Sequence, residues 1–243
     1  MTKNGVTLYF MRHGQTYFNM LERMQGWSDT PLTDKGRIDV LRSGYGLKDI
    51  KFDAVYTSDL RRTVETAQLA LKYNDYNDGH QTIHMMPEFR EVFFGTFEGL
   101  FGKEVWHKVR EVGYEGKPFD RGSKDVVLKE LNAFKIADEN HLAENFNEFW
   151  SRVERGLITV LKRHRETNQN ILIVSHGMTI RNIMHELIPD FSLETPIENA
   201  AVTVTDYYDG KFHLKALNQT SHFADNANVS DDPFDELDIA MYQ

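Results

Sequence analysis

The chain has 243 residues, no cysteine and a formal net charge of −9 at pH 7, which excludes disulfides, thiolate nucleophiles and cysteine-based zinc sites and disfavours nucleic acid or an anionic membrane as partner. The length supports one large core, and without a central linker it reads as a single α/β domain over 1–243 that carries an insertion. The apolar run at 6–11 is too short for a signal segment or a bilayer span, so a soluble cytoplasmic protein is expected.

In chain order, residues 6–11 form an apolar strand that runs into Arg12-His13-Gly14. Residues 14–33 are polar and turn-rich. Thr33 and Asp34 then offer caps for a helix through Ile38, Leu41 and Tyr45, which Gly44 and Gly46 weaken. A short strand at 52–57 leads to Ser58, the expected N-cap of a helix whose apolar stripe is Leu60, Val64, Ala67 and Leu71. A third strand at 82–86 precedes a glycine- and phenylalanine-rich loop at 87–99, which can lie over a site. Residues 100–145 break the strand-helix alternation with helices around Val105-Val109-Val112 and Leu128-Leu131, a helical insertion expected to serve as substrate cap. The strongest amphipathic helix spans 145–164, with Phe146, Phe149, Trp150, Val153, Leu157, Val160 and Leu161 on one face. A strand at 171–174 runs into Ser175-His176-Gly177, a helix with Ile180, Ile183, Met184, Leu187 and Ile188 inward follows, and 202–217 reads as a hairpin around Asp209-Gly210. The acidic tail at about 225–243 is expected to be loosely attached.

Two His-Gly dipeptides therefore sit at strand ends. In an open parallel sheet those ends share one edge, where ligands bind, so His13 and His176 are expected to meet. Around His13 the loop supplies Arg12, Asn19, Arg23, Gln25 and Gly26, and Arg62 can bring a second guanidinium from the following helix. Guanidinium forks match phosphate geometry, and two of them beside an imidazole lower its pKa and keep it a neutral nucleophile. His80 and His84 share i, i+4 spacing on a strand-like segment, which is poor geometry for a metal pair, and read as structural. Arg23 and Arg61 read as charges on the surface or just behind the site, and Phe93, Phe94, Phe97 and Phe101 fit packing or a substrate pocket equally well.

With these residues assembled, the chain resembles the histidine phosphatase superfamily, the phosphoglycerate mutase-like proteins. The resemblance rests on Arg12-His13-Gly14 with Thr16, Asn19, Arg23, Gln25-Gly26, Pro31-Leu32-Thr33 and Gly36. It continues through Ser58-Asp59-Leu60-Arg61-Arg62 with Thr66-Ala67, then Glu91 with Gly95 and Glu98-Gly99, then Ser175-His176-Gly177 and Asn199. It implies a three-layer αβα sandwich with a mostly parallel central sheet, an antiparallel edge and the helical cap, working without metal or cofactor. It further implies His13 as nucleophile, Glu91 as acid and then base, and Arg12, Arg62 and His176 around the phosphoryl oxygens, with Asn19, Gln25, Gly26 and Gly177 as further phosphate-binding positions.

Phosphoglycerate mutases resemble one another in carrying Glu-Arg-His-Tyr-Gly at the acid, whereas this chain has Glu91-Val92-Phe93-Phe94-Gly95. Apolar groups there remove cationic contacts that a small, highly anionic phosphoglycerate would use. Hydrolysis of a small phosphomonoester through a phosphohistidine is therefore the expected activity. A cofactor-dependent mutase is the alternative, with Lys103, Lys108, Arg110, Lys117 and Arg121 of the insertion as substitute cations. An inactive phosphoprotein-binding member is a third reading, which the complete set of catalytic residues disfavours. A homodimer is compatible with the apolar edges of the fold.

Overall fold

A computed structural model of the protein describes residues 4–194 and 196–221; the acidic tail lies outside the described residues. The first half of the chain forms β1 (Val6–Arg12), α1 (Tyr17–Met20), α2 (Asp34–Gly46), β2 (Ala54–Thr57), α3 (Arg61–Leu71) and β3 (Ile83–Met85). The second half forms α4 (Gly102–Gly113), α5 (Val126–Ala137), α6 (Phe146–His164), β4 (Asn170–Ser175), α7 (Gly177–Leu187), β5 (Val202–Tyr208) and β6 (Lys211–Gln219).

The strands make one six-stranded sheet in the order β3-β2-β4-β1-β5-β6. The first four run parallel, and β5 and β6 close it as an antiparallel edge. Both faces are covered, as the near-continuous apolar sequence of β4 requires. On one side α2 and α3 pack Val40, Leu41, Ala67 and Ala70 against Met11, Val55, Leu172 and Val174. On the other, residues from α4 to α7 pack against Leu8, Phe10, Tyr56, Ile171 and Ile173. The mixed α/β architecture with a mostly parallel sheet and an antiparallel edge is thus found. The period-two alternation assigns neighbouring strand residues to opposite layers.

Register places the site. Arg12 pairs with Ser175 across β1 and β4, and Thr57 of β2 pairs with Val174. The residues that follow each strand, His13, His176 and Ser58, therefore leave the sheet side by side at one edge.

Three local expectations differ from the structure. Ser58 is not the N-cap of α3: the helix begins after Leu60, which has no side-chain cap, because the Ser58 hydroxyl bonds elsewhere. Its first N–H, from Arg61, is instead taken by the Asp29 carboxylate, a cap from 32 residues away that sequence spacing does not reveal. Gly44 does not weaken α2 so much as let it approach α3, since a Cβ there would lie 2.3 Å from the Ala70 carbonyl oxygen. The polar segment after β1 also contains the single turn of α1, closed by a capping box between Thr16 and Asn19.

The insertion is knitted into the main core. Phe134 of α5 meets Phe94, Phe97 and Trp106, with ring centroids 5.1, 6.1 and 4.9 Å away. Arg181 of α7 bonds the Glu130 carboxylate of α5 at 3.0 Å. From α6, Arg152 grips Glu144 in a two-point pair, 2.7 Å at each contact, and donates to the carbonyls of Glu88, Arg90 and Glu91. One buried guanidinium thus ties the segment leading to Glu91 onto the helix layer. Replacing it leaves Glu144 buried without its cation, so Arg152→Met should lose about 3 kcal/mol of stability, measured by denaturant unfolding.

Candidate active site

His13 is 3 % exposed and fixed from several directions. Its N–H donates to Ser175 O at 3.0 Å, while its own carbonyl accepts from Ala200 N–H and from the Asn199 amide. The ring's Nδ1 lies 2.8 Å from Gly14 O. A carbonyl only accepts, so Nδ1 carries the proton and Nε2 holds the lone pair. The turn that presents Gly14 O is itself held, because Gly14 N–H donates to Thr66 Oγ1 on α3.

His176 precedes α7, its ring centroid 5.1 Å from that of His13. Both rings have a pKa well below the usual histidine value, first because they are buried and second because Arg62 stands close by. Each is therefore a neutral imidazole at pH 7.

Arg62 is fully buried. Nη1 donates to Ser28 O at 2.9 Å and Asp29 Oδ1 at 3.0 Å; Nη2 donates to Gly26 O at 2.6 Å and meets His176 Nδ1 at 3.1 Å. Arg12 donates from Nη1 to Ile197 O at 2.6 Å. Burial lowers the pKa of each guanidinium, and the charge of Glu91 opposes that in both. Each arginine keeps a buried Nε without a partner. Unmade hydrogen bonds on buried cations are costly.

Glu91 is 6 % exposed and sits against the N-terminus of α7. Oε1 accepts the N–H groups of Val92 and Thr179 and lies 2.9 Å from Thr179 Oγ1, whereas Oε2 accepts only Met178 N–H. Oε2 is thus the oxygen with spare capacity. A helix N-terminus is a natural seat for a carboxylate.

The remaining expected site residues fall into two groups. Asn19 turns its Oδ1 to Thr16 N–H and the Asn199 amide, leaving Nδ2 as a donor beside the His13 loop. Gly177 opens α7 beside Arg12, where an added Cβ would come within 3.1 Å of Nε. Gln25 and Gly26 hold up the loop: the Gln25 amide bridges Thr16 and Thr30, and the Gly26 carbonyl receives Arg62. Gly26 also permits close contact, since a Cβ there would lie 2.1 Å from Val92 O.

Of the phenylalanines, Phe94 and Phe97 are core, Phe93 stacks on Trp27 at 4.8 Å, and Phe101 is exposed beneath the Arg23 guanidinium. Arg61 is exposed, and His84 packs on Tyr56. Among the described residues no group of three or more His, Asp or Glu gathers as a metal site, and no helix is long and apolar enough to cross a membrane.

Several contributors escape sequence reasoning. Glu98, seen there only as a matching position, accepts the N–H groups of Gly26, Trp27, Ser28 and Phe94. It folds the 26–28 turn into the shape whose carbonyls hold Arg62. Trp27 donates from Nε1 to Glu91 O, and Arg90 lies over its ring while pairing with Asp59.

A family model described as the histidine phosphatase superfamily (branch 1) matches residues 8–220. A 2,3-bisphosphoglycerate-dependent phosphoglycerate mutase of Bartonella henselae is 30% identical over 183 residues, 74% of this chain and 81% of that protein. A broad-specificity phosphatase of Saccharomyces cerevisiae is 29% identical over 237 residues, 94% of this chain and 92% of that one. Among solved structures, phosphoglycerate mutase from Bacillus anthracis superposes with a TM-score of 0.82 at 31% identity, covering 93% of this chain and 98% of that one.

Two outcomes follow from this geometry. Glu98→Gln cannot accept from four N–H groups in the same way and should cost about 2 kcal/mol, since bonds to a charged acceptor are among the stronger ones; thermal unfolding measures it. The unfolded chain binds protons below about pH 6.5 that the buried imidazoles refuse, so stability rises with pH across that window. Lowering the pH from 7 to 5 should therefore reduce Tm, and His13→Gln should flatten the dependence.

Proposed function

The chain belongs to the histidine phosphatase superfamily, and from that premise we propose that it is a metal-independent phosphomonoester phosphatase acting through a phosphohistidine on a small phosphorylated metabolite. The observation that carries the reading is His13: a neutral ring whose Nδ1–H is committed to Gly14 O, with Nε2 unprotonated and the charges of Arg62 and Arg12 acting on the ring.

In the first step the Nε2 lone pair attacks phosphorus in line as the ester P–O bond breaks, and the leaving alkoxide takes the proton of Glu91, whose carboxyl enters this step protonated on Oε2 and leaves it as the carboxylate. Arg12 and Arg62 stabilise the charge on the equatorial oxygens, with the Asn19 amide as a further donor; His176, expected beside them, has Nδ1 engaged by Arg62 and Nε2 by Ser58 and so acts through Arg62 instead. In the second step Glu91 removes a proton from water, whose oxygen attacks phosphorus while the P–N bond breaks. Inorganic phosphate leaves and His13 is restored.

Hydrolysis is favoured over transfer by the segment after the acid. Val92 and Phe94 are buried in the core, so they offer a phosphoglycerate nothing, and Phe93 stacks on Trp27 beside Glu91. Of the cations considered as substitutes, Lys108 pairs with Glu139, Lys117 with Glu115, and Arg121 donates to Leu193 O. An aromatic wall supports an ester whose alcohol is bulkier or less polar than glycerate. Phosphoglycerate mutase remains the second reading, favoured by the 0.82 superposition on the Bacillus anthracis enzyme.

The experiment measures phosphate release from a panel of phosphomonoesters without added metal, beside interconversion of 3- and 2-phosphoglycerate primed with 2,3-bisphosphoglycerate. Fast release with negligible interconversion is expected, and the reverse result makes the protein a mutase. His13→Ala should abolish turnover and the acid-labile phosphoenzyme together. Arg62→Ala should lower kcat on the order of 100- to 1000-fold, the usual cost of one electrostatic donor.

A further inference from the structure

We propose that Ser58 is a positioning residue that fixes the tautomer of His176, so that the Nδ1 lone pair of that ring holds Arg62 in place for the phosphoryl group. The proposal rests on the reading of Arg62 as a phosphate-binding group.

The direction of every bond in the cluster follows from its ends. A guanidinium only donates. Arg62 Nη2 lies 3.1 Å from His176 Nδ1, so Nδ1 accepts and the ring proton is on Nε2. Nε2 lies 2.9 Å from Ser58 Oγ, which accepts that proton's hydrogen bond and turns its own hydrogen to Thr63 Oγ1 at 2.8 Å. Thr63 Oγ1 faces the carbonyls of Leu60 at 2.8 Å and Ser58 at 3.0 Å, which only accept. A chain with a pure donor at one end and pure acceptors at the other can run only one way.

All four side chains, Arg62, His176, Ser58 and Thr63, are fully buried, so no exposed face offers an alternative partner. The neutral ring that the chain needs agrees with the downward shift of His176 by burial and by Arg62. Without the Ser58 hydroxyl, Nε2–H loses its acceptor. The ring's orientation and proton position are then held by Arg62 alone, and any turn of the ring or passage of the proton to Nδ1 sets N–H against N–H and loosens the guanidinium from its seat. Ser58 thus acts through His176 on Arg62 and touches no reacting atom. It also explains why the serine is not spent as a helix cap.

The test uses the full chain with 15N-labelled histidine. Long-range proton–nitrogen spectra recorded without substrate report the tautomer of each ring, and the His176 signal is assigned by its loss in His176→Gln. The wild-type ring should carry its proton on Nε2. Ser58→Ala should mix the tautomers and lower kcat about tenfold with KM little changed, the scale of one buried hydrogen bond, whereas Ser58→Thr should restore both readouts. A wild-type proton on Nδ1 overturns the proposal, as does a folded Ser58→Ala protein with unaltered spectrum and kcat. Should Ser58→Ala not fold, Thr63→Val removes the next link and must itself disturb the His176 signal, or the proposal fails. If the protein released no phosphate from any ester, the phosphatase reading would fall while the spectra still decided the tautomer.

Discussion

A guanidinium with no exposed surface is the constraint on which the catalytic edge depends. Arg62 cannot shed its charge, and a buried cation is tolerated only when its donors are met. Meeting them recruits two separate stretches of chain: the 26–29 segment, through the carbonyls of Gly26 and Ser28 and the Asp29 carboxylate, and the His176 ring. Those carbonyls converge only because Glu98 gathers the surrounding N–H groups, a carboxylate 70 to 72 residues further on serving as the core of a turn. The arrangement is solved for every donor but one, and the open Nε matches the one left on Arg12.

The same charges reconcile a strongly acidic protein with an anionic substrate. The net charge of −9 belongs to the surface as a whole, while the edge where β1, β2 and β4 end concentrates one buried and one half-buried guanidinium beside two imidazoles. Keeping both rings neutral limits the positive charge there to what the guanidiniums carry, and it preserves the lone pair at His13. Burial, the first cause of the shift in each ring, does the larger part of this.

How much of this could be read from the chain depends on range. Apolar periodicity marked β1, β4, α6 and α7 well, since each buries a regular stripe, and the strand-end position of the two His-Gly dipeptides correctly brought His13 and His176 together. Arg62 was reachable because it follows a recognisable block by fixed spacing. What escaped was every long-range hydrogen bond from a polar side chain: Arg152 to the carbonyls before Glu91, Glu98 to the 26–28 turn, Asp29 to the start of α3. An isolated glutamate or arginine in a sequence looks the same whether it meets solvent or a buried amide. Ser58 shows the error in the other direction, because a serine before a helix suggests a cap whenever nothing in the sequence reveals a stronger claim on its hydroxyl.

The acid completes the picture of a site assembled by its second layer. Glu91 is held from two sides by different means: α7 offers its first N–H groups to the carboxylate, while Arg152 and Trp27 bond the carbonyl of the same residue. Trp27 belongs to the turn that seats Arg62, so the residue that positions Glu91 and the residues that position Arg62 are covalent neighbours. A change in that turn is felt at both Glu91 and Arg62. Phe93 packs on the same indole, which places the apolar segment after the acid within the unit that sets catalytic geometry. On this argument the departure of Val92-Phe93-Phe94 from the mutase pattern is more than a lost contact. Restoring charged residues there would have to preserve the Trp27 packing before it could confer phosphoglycerate binding.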